Sequence, residues 1–247
     1  MNNAIKAGSL FFCTAVVFLG IQQVAYGDFI QGVFIAPSWL PWRAFWAYLS
    51  GAALIVTSLG LGSIEERRVA TISLATILLL MFLLFHVTAP LAILHDGIAR
   101  TRAFETLAMG AMVLALLDAP LPTVGRLLFA VTLVVFGIQH FMYAGFVAAV
   151  VPSWIPWPLA WAYITGVAMI AAGMSLATGV QARMAALLLG LMFFLWVVLL
   201  HVPRLAAHLR EEKEWNSAAV ALAMCGAAWM FAAIVGPRES AVAATRF

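Results

Sequence analysis

Between Arg126 and Arg183 the chain runs for 56 residues without an aspartate, glutamate, lysine or arginine. A bilayer-spanning helix needs about 20 mainly apolar residues. The stretch therefore accommodates two spans and a tight loop, and a Pro/Trp-rich patch near its middle marks the turn. The whole chain has the same character: 65% of its 247 residues are hydrophobic and 9% are charged, where soluble domains average about 25% charged. That composition excludes an ordinary cytosolic enzyme and points to a polytopic membrane protein. Thirteen basic residues spread over many loops form no stripe for nucleic acid. They suit anchoring at the edges of a lipid bilayer.

The uncharged windows predict eight helices, over 7–27, 43–62, 68–94, 102–120, 125–147, 158–178, 182–203 and 215–236. The fourth is the weakest, because Glu105 and Asp118 leave only 12 uncharged residues between them. A span there must be short or carry Glu105 into protein rather than lipid. The segment Ala7 to Tyr26 is too long for the apolar part of a signal peptide and lacks a small-residue cleavage site, so it reads as the first span. Cys13 and Cys225 lie in apolar runs without metal-type spacing, which fits small buried hydrophobes.

The two halves are related. Gly20-Ile21-Gln22-Gln23, Tyr26, Pro37-Ser38-Trp39-Leu40-Pro41-Trp42 and Trp46-Ala47-Tyr48 reappear as Gly137-Ile138-Gln139-His140, Tyr143, Pro152-Ser153-Trp154-Ile155-Pro156-Trp157 and Trp161-Ala162-Tyr163. Across residues 37–51 and 152–166, nine of 15 positions are identical and three more are Leu/Ile or Ser/Thr exchanges. The same offset carries His86 onto His201 and Leu107-Ala108-Met109 onto Leu222-Ala223-Met224. A tandem duplication follows, with one four-helix repeat over 1–120 and a second over 121–247. An even number of spans gives both repeats the same orientation, so the expected symmetry is a pseudo-two-fold axis along the membrane normal. Loops on the N-terminal side hold seven basic residues, Arg238 and Arg246 among them, against six on the other. The positive-inside rule then favours cytoplasmic termini.

On this topology the unusual polar residues gather toward the face opposite the termini. Gln22, Gln23 and Tyr26 end the first span, Gln139, His140 and Tyr143 the fifth, while His86 and His201 lie near the ends of the third and seventh. Gln22 and Tyr26, like Gln139 and Tyr143, are four residues apart and share a helix face. Polar side chains in a span turn toward the bundle interior. Two readings stand for each. The glutamines either bond neighbouring helices or line a site. The histidines either cap helix-end carbonyls or act as ligands to haem or metal, or as donors to a quinone carbonyl. No HxxxH or HExxH spacing nominates a metal site. Arg204 either snorkels to the interface or binds an anion near His201. Trp39 and Trp154 sit in corners that suit the headgroup layer or form the lid of a hydrophobic pocket. Only the second repeat has histidine at the Gln23/His140 position, so the second cluster is expected to be the more specialised.

These motifs resemble the DoxX-like superfamily: Gly137-Ile138-Gln139-His140 in a first helix, the Val151-Pro152-Ser153-Trp154-Ile155-Pro156 corner, and Trp161-Ala162-Tyr163-Ile164-Thr165-Gly166 opening the second, with a matching set in the first half. The chain then resembles a covalent dimer of the four-span family unit. The resemblance implies a bacterial or archaeal inner-membrane protein, in some members the membrane subunit of a thiosulfate:quinone oxidoreductase, with redox partners in the membrane or periplasm. Many members carry an acidic residue after the second-helix opening; residues 54–61 and 169–176 contain none. The expected function is a redox-linked membrane subunit, not an autonomous enzyme, with a quinone or haem near the periplasmic face held by His86, His140, His201, Gln22, Gln23, Gln139, Tyr26, Tyr143, Trp39, Trp154 and Arg204. The alternatives are a non-catalytic accessory subunit docking through loops 95–104 and 204–214, and a transporter of small or lipidic molecules. The run Arg210-Glu211-Glu212-Lys213-Glu214 is expected to be a solvated face.

Overall fold

The computed structural model describes residues 3–235 except 31, 35, 63–64 and 88–93; the expected ends of the third and eighth spans, and Arg238 and Arg246, fall outside them. The described residues are all-α. The elements are α1 (Asn3–Tyr26), α2 (Arg43–Gly60), α3 (Arg67–Met81) with a π-helical turn (Phe82–Val87), α4 (Gly97–Leu114), α5 (Leu121–Met142), α6 (Ala144–Val150), α7 (Pro158–Thr178), α8 (Ala182–Trp196) with a second π-helical turn (Val197–His201), α9 (Val202–Ala207) and α10 (Glu212–Ile234). Counting each π turn with the helices it continues, the described residues form nine rods rather than the eight expected. The addition is the seven-residue α6, which overlaps the expected end of the fifth span at 147 and runs three residues past it. It begins where Tyr143 leaves helical geometry at φ −120°.

Six of the rods are long and apolar enough to cross a membrane: Lys6–Tyr26, Arg67–His86, Leu121–Met142, Pro158–Thr178, Ala182–Ala207 and Glu212–Ile234. The expected second and fourth spans form helices but are not among the six. α2 opens on Arg43 and carries Ser50, Thr57 and Ser58; α4 carries Arg100, Arg102 and Glu105. Leucine, isoleucine, valine and phenylalanine cover the outer faces, with Val56, Leu59, Val69, Phe146 and Leu188 more than half exposed. In water such a surface would aggregate; against hydrocarbon it is the expected exterior.

Neighbouring rods pack as a closed ring in the order α1, α2, α3, α4, α5, α7, α8, α10 and back to α1, and α4 meets α10 across its centre. α10 is accordingly the most buried span, with 67% of its apolar window inside the protein. Phe129 of α5 meets Phe231 of α10 at 4.7 Å between ring centroids, in the same buried core as Met109 and Met112 of α4. The last long helix of each half therefore closes against the first helix of the other half. Lipid tails are as apolar as leucine, so close packing rather than hydrophobicity selects such contacts. Where α5 crosses α7, a Cβ on Gly166 would stand 2.9 Å from the His140 Cβ and 3.1 Å from the Gly137 carbonyl oxygen. The α1–α2 crossing repeats this with Gly51, whose Cβ would stand 2.9 Å from the Gly20 oxygen.

Both Pro/Trp corners end in the same backbone state. Trp42 and Trp157, the residues before α2 and α7, are left-handed at φ 51° and 55°, a region that non-glycine residues adopt rarely. This geometry turns both indoles outward, 79% and 77% exposed. In the first corner Arg43 locks the turn by donating to the Asp28 carboxylate and to the Ala36 carbonyl at 3.1 Å. Pro158 follows the second corner and starts its helix directly, as proline does in a first turn.

A candidate ligand cavity between two histidines

The C-terminal end of α5, α6, the first turns of α7 and the π turn after α8 line a half-open cavity of about 360 Å³. Its lining is apolar: Phe146, Val147, Val150, Ile155, Met192 and Leu200 among others. Two histidines enter from different walls. His140 comes from the last turn of α5, where its Nδ1 lies 2.8 Å from the Phe136 carbonyl. A carbonyl only accepts, so Nδ1 carries the proton and Nε2 keeps a lone pair. The ring lies nearly parallel to the Trp196 indole, at 5.8 Å and 19°, and Phe193 meets that indole edge-on. His201 ends the π turn, and its buried Nδ1 has no hydrogen-bond partner among the described residues. π turns add a residue to the helix and recur at functional sites; here the turn delivers His201 to the wall. Trp161 and Thr165 also line the cavity, but Trp161 Nε1 donates to Pro156 O at 3.1 Å and Thr165 Oγ1 to Trp161 O at 2.8 Å. Two imidazoles thus line apolar walls, one with its Nδ1 spent on a backbone carbonyl and one with a buried, unpartnered Nδ1.

The corresponding region of the first half is filled. His86 again lies in the last residues of a π turn and is buried with Thr106 Oγ1 at 3.5 Å, where the matching position 221 is alanine. Gln23, in the place of His140, donates to Ala47 O at 3.1 Å and to Ser50 Oγ. Phe29, Ile30, Val33 and Phe34 are all buried there, and Phe29 packs edge-on against Phe85 at 4.9 Å. In the second half the Tyr-to-Pro segment is two residues shorter, Phe146 is 70% exposed, and Leu200 stands where the first half has Phe85.

The remaining expected site residues are placed elsewhere. Gln139 ties α5 to α4, its Nε2 donating to Gly97 O at 3.0 Å and Thr101 Oγ1 at 3.1 Å. Gln22 is buried on α1, and its Oε1 has no partner among the described residues. Tyr143 lies over Gly97 at the start of α4, and Tyr26 is 56% exposed at the end of α1. Trp39 and Trp154 are exposed on the corners and do not line the cavity. Arg204 is committed to protein: it donates through Nε and Nη2 to the two oxygens of Glu214 at 2.8 and 2.7 Å. Glu214, expected in a solvated run, is buried; Glu211 of the same run pairs at the surface with Lys213 at 2.8 Å and His208 at 3.0 Å. Sequence reasoning missed Trp196 and Leu200, which sit in an unbroken apolar run. Their positions five residues and one residue before His201 carry no signal until the π turn is known. No cluster of three His, Cys, Asp or Glu side chains suited to a metal occurs among the described residues.

The sequence model of a family described as a domain of unknown function (DUF8561) matches residues 129–236, the stretch that supplies every wall of the cavity. No curated protein and no solved structure matches the chain.

Proposed function

We propose that the chain is the membrane subunit of a redox-linked assembly and that the His140/His201 cavity holds the head group of a quinone. In this reading it has eight spans in two four-helix units related by a pseudo-two-fold axis along the membrane normal. It is a fused pair of DoxX-like units in a bacterial or archaeal inner membrane, with cytoplasmic termini, the cavity near the periplasmic face, and redox partners in the membrane or periplasm. The repeat offset, the paired left-handed tryptophans and the paired π turns support that symmetry.

One observation carries the ligand assignment: an apolar cavity contains two imidazoles with unused hydrogen-bonding capacity. A buried polar atom left unpaired costs about 1–3 kcal/mol, so an unmet His201 nitrogen is retained at a cost that a ligand can offset. A quinone ring presents two oxygens on opposite edges. Its carbonyl accepts from a protonated His201 nitrogen, and the hydroxyl of its reduced form donates to the His140 Nε2 lone pair. Ligand pockets run from about 300 to 1,000 Å³; at about 360 Å³ this one suits a single ring, with its tail passing to the lipid. Haem is the second reading, favoured by one feature. An imidazole whose Nδ1–H donates to a carbonyl has the second-shell support typical of metal-ligating histidine.

Purification in mild detergent, followed by absorption spectroscopy and mass spectrometry of the organic extract, tests both. Extractable quinone in wild type, lost in His140→Ala and His201→Ala proteins that remain folded, is the expected result. A Soret band would replace quinone with haem. A colourless, quinone-free preparation would overturn the reading.

A further inference from the structure

We infer that the seam between α4 and α5 binds an anionic phospholipid with hydroxyls in its head group, of the phosphatidylglycerol class. A second cavity, of about 320 Å³, opens on the outer surface there, lined by Leu94, Arg100, Phe104, Val135, Ile138 and Gln139. Arg100 and Phe104 are one turn apart on α4, so the guanidinium marks the end nearer the helix start and the ring the deeper end. On the facing helix Val135 and Ile138 continue the apolar wall up to Gln139. Charge at the interface end over an apolar trough is the layout of a lipid, with the phosphate on the arginine and an acyl chain below. Arg100 Nη2 also donates to the Leu94 carbonyl at 3.3 Å, which holds the side chain over the seam.

Gln139 sharpens the head group. Its Nε2 is committed to Gly97 and Thr101, whereas its buried Oε1 has no partner among the described residues. That oxygen accepts only, so it wants a hydroxyl rather than more phosphate oxygen. A glycerol head group supplies both chemistries in one molecule.

The chain contains its own control. The matching seam, between α10 and α1, has Trp215 in place of Arg100 and Phe18 in place of Val135. These two rings pack at 5.7 Å between centroids. One seam is closed by its own aromatic side chains; the other replaces them with a cation and a smaller side chain and stays open. Basic pockets between spans are a recurrent mode of anionic lipid recognition. This inference does not depend on what the histidine cavity binds.

The test is native mass spectrometry of delipidated full-length protein titrated with phosphatidylglycerol, phosphatidic acid or phosphatidylcholine of identical acyl chains. One phosphatidylglycerol is expected to be retained at least tenfold more tightly than phosphatidylcholine, with phosphatidic acid between them. Arg100→Gln should erase the preference over phosphatidylcholine. Val135→Phe, which leaves Arg100 and Gln139 in place, should weaken all three by narrowing the trough. Melting temperature in detergent verifies that each variant is folded. Equal retention of phosphatidylglycerol and phosphatidylcholine by wild type would overturn the inference, as would an unchanged preference in folded Arg100→Gln. Glycerol 3-phosphate should not displace the lipid; displacement at equal concentration would assign the site to a soluble phosphate ester instead.

Discussion

At the scale of single residues, the chemistry turns on which polar groups the fold satisfies. Gln23, Gln139 and Arg204 spend their donors on neighbouring helices, whereas His140 and His201 line an apolar cavity and His201 Nδ1 is unpartnered among the described residues. Arg204 illustrates the structural role. Its guanidinium lies in a fork against a carboxylate that is 4% exposed, while Arg204 itself is 39% exposed. Arg204→Ala strands the Glu214 charge. Loss of one partner of a buried pair costs about 3–5 kcal/mol, and the half-open arginine places this pair nearer about 2–3 kcal/mol. Melting in detergent is expected to show that loss, with Arg204→Lys recovering part of it because lysine cannot make the fork. The double variant Arg204→Leu/Glu214→Leu should melt closer to wild type than Arg204→Ala. Additive losses would indicate that the pair does not interact.

Leu200 is the residue-scale determinant of cavity size. The first half fills the matching position with Phe85, and its region is closed. Leu200→Phe is therefore expected to abolish quinone retention with little change in melting temperature, measured by extraction and by thermal unfolding of the same preparation. Retention at the wild-type level would show that the ring lies elsewhere.

At the scale of elements, most of the helices were legible and the cavity was not. Long uncharged windows located α1, α3, α5, α7, α8 and α10, because hydrocarbon imposes the same length and composition on every span. The repeat pointed to the two corners, and the outward tryptophans there match an interfacial position. α6 was hidden because the break at Tyr143 leaves the apolar run intact. The cavity itself follows from differences in side-chain volume between halves and a loop shortened by two residues, neither of which alters the hydrophobic pattern. Arg204 and Glu214 are ten residues apart across a loop, beyond helical periodicity. The α5–α7 crossing gives this scale its prediction. Gly166→Val drives a side chain toward the His140 Cβ and the Gly137 carbonyl, and overpacking of this kind costs about 1–3 kcal/mol. A lowered melting temperature together with lost quinone is the expected pair of results; an unchanged melting temperature would contradict the close approach.

At the scale of the whole molecule, the ring order makes the two halves interdependent. α4 packs on α5 as well as on α3, and α10 on α1 as well as on α8, so each half leaves one face of its last helix for the other half to cover. Co-expressed fragments 1–120 and 121–247 are expected to purify together in mild detergent, while 121–247 alone, with α10 uncovered, should aggregate on size-exclusion chromatography. A stable, monodisperse 121–247 fragment would show that its helices satisfy one another without the first half. The two halves also differ inside: one closes its interior with phenylalanines, and the other keeps space between two histidines.

The central claim is that this space holds a quinone ring. Photolabelling of native membranes with an azidoquinone, followed by peptide mapping, tests it most directly. A quinone ring seated there directs label to residues 140–165 and 192–201, displaced by excess unlabelled quinone and absent from His201→Ala and Leu200→Phe. Label spread over the lipid-facing surface, or undiminished in Leu200→Phe, would contradict it.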